Sequence, residues 1–122
     1  MVVKQAGEKH FTKKFRQGFS HRVILPGRDP EARVKVTDFT GLAGQNFTDV
    51  SYPVDETVCV ISGHARITDH QGCIEDILAG GTYYVPAGES YDICFIRETN
   101  VLCVFSQAAD GTLPTDEPDP GE

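Results

Sequence analysis

From Ala32 onward the apolar residues recur at alternate positions in short runs, a period of two that belongs to strands. Over residues 32–39, Val34 and Val36 alternate with Arg33, Lys35 and Thr37, which predicts a strand with the two valines on one face. Further strand-like pieces occupy residues 45–50, 57–61, 64–68, 73–78, 82–85, 91–96 and 100–106. Pro53, Ser62-Gly63, His70-Gln71-Gly72, Gly80-Gly81 and Pro86-Ala87-Gly88 separate them, all residue types that tolerate or enforce turns. Closely spaced strands without an intervening helical pattern predict an all-β sandwich or barrel, and closure of a barrel removes exposed edges. In the strand at 82–85, Tyr83 and Val85 share one face and Thr82 and Tyr84 the other. One of the two tyrosines points inward, and the alternation alone leaves open which.

The two ends read differently. Residues 1–31 are basic and poorly periodic, with Phe11, Phe15 and Phe19 spaced to form either one stripe of a short helix or successive contacts on a barrel wall. Residues 107–122 carry Pro114, Pro118 and Pro120, five acids and no base, too little apolar surface to offset the entropy of ordering. The expected organisation is therefore a basic arm over 1–31, a β-barrel over 32–106 and a disordered acidic tail over 107–122.

At 122 residues the chain suits one domain. No apolar run approaches the ~18 residues of a membrane span, and residues 1–10 lack the apolar stretch of an export signal, so a cytoplasmic location is expected. Cys59, Cys73, Cys94 and Cys103 form no C-x-x-C pair and each falls in an apolar segment, which reads as small core residues in a reducing compartment. The net charge of −7 is unevenly placed: residues 1–35 hold nine basic and three acidic residues, and residues 36–122 hold two and fifteen, giving segments of about +6 and −13. A homodimer in which one copy's arm lies on its partner's acidic surface would use this division, and a solvated arm and tail would equally produce it. The acidic body excludes nucleic acid as a partner, because phosphates would be repelled.

Gly44 is followed by five residues, Val50-Ser51-Tyr52, three residues, Glu56, six residues and Gly63; after sixteen more come Gly80, five residues, Pro86-Ala87-Gly88, two residues, Tyr91, three residues and Phe95. This spacing resembles the paired motifs of the cupin superfamily, with Val50, Tyr52 and Tyr91 where those motifs carry histidine. The resemblance covers residues 44–95 and implies a single cupin barrel, the double-stranded β-helix or jelly roll. In metal-binding cupins the histidines and the glutamate converge on a divalent metal inside the barrel; here Glu56 alone remains to bind iron, zinc or manganese. Glu56 would otherwise act as a general acid/base in an apolar barrel, where desolvation raises a carboxyl pKa, or sit beside Asp55 on a surface loop. Phenol is a poor metal ligand at neutral pH, so Tyr52 and Tyr91 read as hydrogen-bond donors to a small polar ligand or as ordinary wall packing. The candidate catalytic residues are Glu56, Tyr83 and Tyr91; Tyr52 joins them as a candidate ligand-binding residue. His21, His64 and His70 are expected at the surface.

Within the superfamily, the Asp55-Glu56 pair, Gly63 and the Gly80 to Gly88 turn resemble the ethanolamine-utilisation (EutQ-like) cupins, which also lack the metal histidines. That resemblance implies a homodimer of ethanolamine catabolism with an acetate kinase activity, although no G-x-x-x-x-G-K-[ST] loop is present. A second resemblance is to ectoine synthase, a metal-dependent cupin lyase that cyclises an acetylated diamine. Glu56 and Tyr83 would align with two of its iron ligands, and Tyr91 stands where the third is histidine. A third reading is a non-catalytic sensor or partner-binding barrel. Whether the chain is an enzyme stays open among these.

Overall fold

The computed structural model describes residues 11–14, 20–25 and 31–114. In these residues the chain forms ten strands: β1 (Phe11–Lys14), β2 (Ser20–Leu25), β3 (Lys35–Gly41), β4 (Asn46–Val50), β5 (Glu56–Ser62), β6 (His64–Thr68), β7 (Ile74–Leu78), β8 (Thr82–Val85), β9 (Tyr91–Phe95) and β10 (Thr99–Phe105). They pair antiparallel in two sheets, one of six strands in the order β1-β2-β3-β10-β5-β8 and one of four in the order β4-β9-β6-β7. The all-β architecture anticipated from the period-two pattern is present, and among the described residues no helix is long and apolar enough to cross a membrane. The basic arm anticipated over 1–31 contributes β1 and β2 to the larger sheet; the rest of that arm, including Phe15 and Phe19, lies outside the described residues.

Cross-strand register sets what faces the interior. On the larger sheet Lys35, Phe105, Glu56 and Val85 form one row; Thr37, Cys103, Val58 and Tyr83 form the next; Phe39, Val101 and Val60 form a third. Residues directly opposite across a ladder point to the same side, so these rows line the inner face. The phase of β3 is opposite to the one its valines suggested. Lys35 and Thr37 are buried while Val34 is 38% exposed. The reason is long-range: β10 pairs along the whole of β3 and carries Val101 and Phe105 inward, which forces Phe39 and Lys35 onto the same face. Lys35 Nζ donates to the carbonyl of Pro114 at 3.2 Å, which offsets part of the cost of its burial. Residues 108–112 form a turn in which Ala108 N–H donates to Thr112 O and Asp110 Oδ1 accepts from Thr112 N–H and Oγ1–H. Gln107 to Pro114 is thus ordered where a disordered tail was expected, the local acid serving as a turn acceptor; residues 115–122 lie outside the described residues.

The core joins Val58, Val60 and Val101 of the larger sheet to Ala65, Ile67, Tyr91, Ile93 and Phe95 of the smaller. Cys103 packs against this core, as expected of a small core residue, and the other three cysteines are outside it. Cys73 is exposed, Cys59, Cys94 and Cys103 are half-buried, and none of the four is in a disulfide. Val58 and Val60, and Ile93 and Phe95, take the inward positions, so the alternation turns Cys59 and Cys94 outward. His64 is also not at the surface: it is half-buried, with Nε2 3.2 Å from Asp76 Oδ1. His70 is exposed, 3.6 Å from Glu89.

Gly63 makes the β5–β6 turn at φ +100°, and a Cβ there would lie 2.5 Å from the Glu98 carbonyl oxygen. Gly72 has a similar φ of +87° with open space around it. The pair separates backbone strain from crowding. In chemical denaturation Gly72→Ala is expected to cost about 1 kcal/mol from φ alone. Gly63→Ala is expected to cost at least ~2 kcal/mol more, because main chain has to move. Equal losses would mean that the approach of Glu98 does not constrain the turn.

Candidate functional site: an acidic, aromatic barrel cavity

The site is built around the first residue of β5. Asp55 fixes the entry to the strand: its N–H donates to Ser106 Oγ at 3.2 Å, its carbonyl accepts Ser106 N–H at 3.1 Å, and its Oδ1 accepts Ala87 N–H at 2.9 Å. Gly88 N–H closes the same corner by donating to Tyr52 O at 2.8 Å. With residue 55 held at the start of β5, alternation turns the Glu56 side chain inward, where it is 3% exposed. Tyr91, the first residue of β9 and opposite Val50 on β4, reaches across from the other sheet and donates its hydroxyl to Glu56 Oε1 at 2.7 Å. Tyr83 comes from β8, its ring centroid 5.8 Å from that of Tyr91 at 71°. Tyr52 packs edge-on against Phe105 with centroids 4.8 Å apart. Tyr83 is therefore the inward tyrosine of β8, and Tyr84 is 58% exposed.

These residues surround a cavity of about 480 Å³, within the ~300–1,000 Å³ range of small-molecule sites. Its lining brings together all four sequence candidates, Tyr52, Glu56, Tyr83 and Tyr91, with Val50 at the remaining motif position. It also includes residues not singled out from sequence: Phe39, Phe47, Phe95, Phe105, Cys103, Thr37 and Asp49. The alternation of Val101, Cys103 and Phe105 would have placed Cys103 on one face with its neighbours, but not that face toward a cavity. Exposed Asn46, Thr48, Asp49 and Ser51 mark the open side along β4. There Asp49 adopts φ +54°, a left-handed conformation that aspartate tolerates better than most residues, and its N–H donates to Asp92 Oδ1 at 2.8 Å. His21 stands opposite Phe39 in the β2–β3 ladder; its side chain lies outside the described residues.

No family model matches the chain, and no curated protein matches it. The solved structures are informative. An RmlC-like cupin from Shewanella frigidimarina superimposes with a TM-score of 0.72 at 14% identity, covering 90% of this chain and 95% of that one. The fold is that of a cupin. Ectoine synthase from P. lautus is similar at a TM-score of 0.72 and 22% identity, over 91% of this chain and 81% of that one. A putative ethanolamine utilization protein, EutQ, from Salmonella typhimurium is similar at 0.61 and 17%, over 73% and 69%. At such identities the likeness is one of fold.

Cupin barrels commonly hold a divalent metal, which requires several deprotonated or neutral donor groups to converge. Burial, reinforced by the charge of Glu56 and by Cys103, raises the Tyr83 phenol well above its ordinary pKa of 10.0, against which a hydrogen bond with Tyr91 works only in part. Burial again leads for Tyr91, joined by Tyr83, Glu56 and Tyr52 and by the hydrogen bond to Glu56, and the shift is in the same direction. Both phenols therefore hold their protons at neutral pH. With one carboxylate already accepting a phenolic hydrogen bond, and no grouping of three His, Cys, Asp or Glu among the described residues, the donor set of this barrel does not fit a divalent metal. Adding iron(II), zinc or manganese is expected to leave the thermal midpoint unchanged; a rise that Glu56→Gln abolishes would contradict that reading.

The phenols also make a pH prediction. Their folded pKa values lie above the unfolded value of 10.0, so the unfolded chain releases these protons first. Their contribution to stability is full below pH 10 and is lost as the pH climbs above it. In a spectrophotometric titration of the four tyrosines, Tyr83 and Tyr91 are expected to ionise only with alkaline unfolding. Reversible ionisation of all four near pH 10 in the folded protein would exclude the buried, carboxylate-facing environment.

Proposed function

We propose that the barrel binds a small organic cation, with a protonated amine seated against Glu56. The observation that carries this reading is the cavity lining: two carboxylates, Glu56 and Asp49, stand among seven aromatic rings, and the described lining includes no lysine, arginine or histidine. An ammonium group gains from a carboxylate in a wall of low polarity, and gains about 0.5–2 kcal/mol from the face of an aromatic ring. Tyr91 Oη, having donated its proton to Glu56, keeps lone pairs able to accept an N–H. This supports the amine side of the EutQ-like reading, a cupin of amine or ethanolamine-type catabolism, more than its acetate kinase side, for which the lining offers no basic phosphate-binding group.

A second reading is a lyase or cyclase akin to ectoine synthase, and one observation favours it. The Tyr91–Glu56 pair holds a proton at 2.7 Å between two oxygens inside the cavity, a suitable start for acid–base chemistry on a bound amine. A sensor with the same pocket would show ligand-induced stabilisation without turnover.

Cys103 provides a reporter that needs no knowledge of the ligand, since it lines the cavity whereas Cys59, Cys73 and Cys94 do not. With those three replaced by serine, Cys103 is labelled with 2-aminoethyl and with 2-sulfonatoethyl methanethiosulfonate, folded and in urea. Folding is expected to raise the cationic-to-anionic rate ratio by about tenfold, from attraction to a nearby carboxylate, and Glu56→Gln should remove most of that gain. An unchanged ratio on folding would sink the cation site.

A further inference from the structure

An amine against Glu56 accounts for one end of the cavity only. Glu56 belongs to the row of Phe105 and Lys35, whereas Phe39 belongs to the row of Val101 and Val60. Val101 and Phe105 are four positions apart on β10, so the two rows are separated by about 13 Å of strand. At the far row Phe39 meets Phe47 of β4 and Phe95 of β9, with ring centroids 5.8 Å, 5.8 Å and 6.2 Å apart around the three pairs. Phe95 is 1% exposed and lies where a Cβ on Gly41 would come within 2.5 Å of its ring, so it is a fixed wall. Phe39 and Phe47 are only half-buried, and both line the cavity. Between the two ends the middle row lines the cavity with Thr37, Cys103 and the ring of Tyr83.

We propose that the ligand is an amphipathic amine, with its ammonium on Glu56 and an apolar arm, preferably a ring, packed against Phe39 and Phe47. This rests on the amine reading and deepens it. A short hydroxylated amine such as ethanolamine could satisfy its hydroxyl among the phenols beside Glu56 but would leave the phenylalanine end wetted. An arm that reaches the far row instead removes apolar surface from water on both sides and places a third ring beside an edge-to-face pair, Phe39 and Phe47 meeting at 77°.

The test is calorimetric titration with four probes: 2-phenylethylamine, propylamine, ethanolamine and 2-phenylethanol. 2-Phenylethylamine is expected to bind at least about tenfold more tightly than ethanolamine, with propylamine between them, as burial of the added apolar area requires. Phe47→Ala should collapse that ratio, and Phe47→Leu, which keeps most of the side-chain volume, should reduce it partway in a fold verified by circular dichroism. 2-Phenylethanol, lacking the charge, should bind at least about tenfold more weakly than 2-phenylethylamine. Ethanolamine binding as tightly as 2-phenylethylamine would overturn the apolar arm and leave the amine site standing. Equal binding of 2-phenylethanol and 2-phenylethylamine would remove the amine site and the inference built on it, as would no binding by any of the four.

Discussion

One buried hydrogen bond holds the site in place: the Tyr91 hydroxyl on the Glu56 carboxylate. A carboxylate at 3% exposure is costly to keep unless its lone pairs are occupied. The partner here comes from the opposite sheet, so the bond also ties the two layers of the barrel together at the level of the cavity. Removing the Tyr91 hydroxyl would take one hydrogen bond from a buried carboxylate, a loss of about 1–3 kcal/mol before any effect on a ligand. Burial, together with the same proximity, keeps Tyr83 and Tyr91 protonated, which sets the chemical character of the pocket: the Glu56 carboxylate among neutral phenols, with Asp49 exposed at the open side.

That bond depends on a scaffold that carries no chemistry itself. Asp55 pins the start of β5 to Ser106 and to the Pro86-Ala87-Gly88 turn, so the neighbouring Glu56 is aimed inward and not along the surface. Asp55 and Glu56 are adjacent acids with opposite duties because alternation along a strand sends them to opposite sides. At the other end of the cavity a glycine has the corresponding duty, since Gly41 leaves the room that the ring of Phe95 occupies. A carboxylate end and a phenylalanine end thus share one barrel interior, held apart by the length of β10.

Much of the fold was legible in the chain. Period-two runs and Gly/Pro turns located eight of the strands to within a few residues, because both signals are local. Motif spacing brought Tyr52, Glu56, Tyr83 and Tyr91 forward as a set, and they do surround one cavity. Spacing succeeded because glycines and prolines at turns fix the length of each strand, and strand length fixes which residue begins the next row.

What only the tertiary structure decided was which face of each strand became the inside. Val34 and Val36 marked the apolar face of the strand expected over 32–39, yet pairing with β10 put Lys35, Thr37 and Phe39 within, and Lys35 found an acceptor seventy-nine positions away at Pro114. The sequence left Tyr83 and Tyr84 equivalent; register with Val58 and Thr57 separated them. Phe39, Phe47 and Phe95 come from β3, β4 and β9, and no local pattern connects them. The chain by itself determined where strands and turns fall, because propensity and periodicity act over neighbouring residues. The facing of each strand, and with it the two-ended character of the cavity, is set by non-local pairing and sheet closure, since a shift of register by one residue exchanges inside for outside.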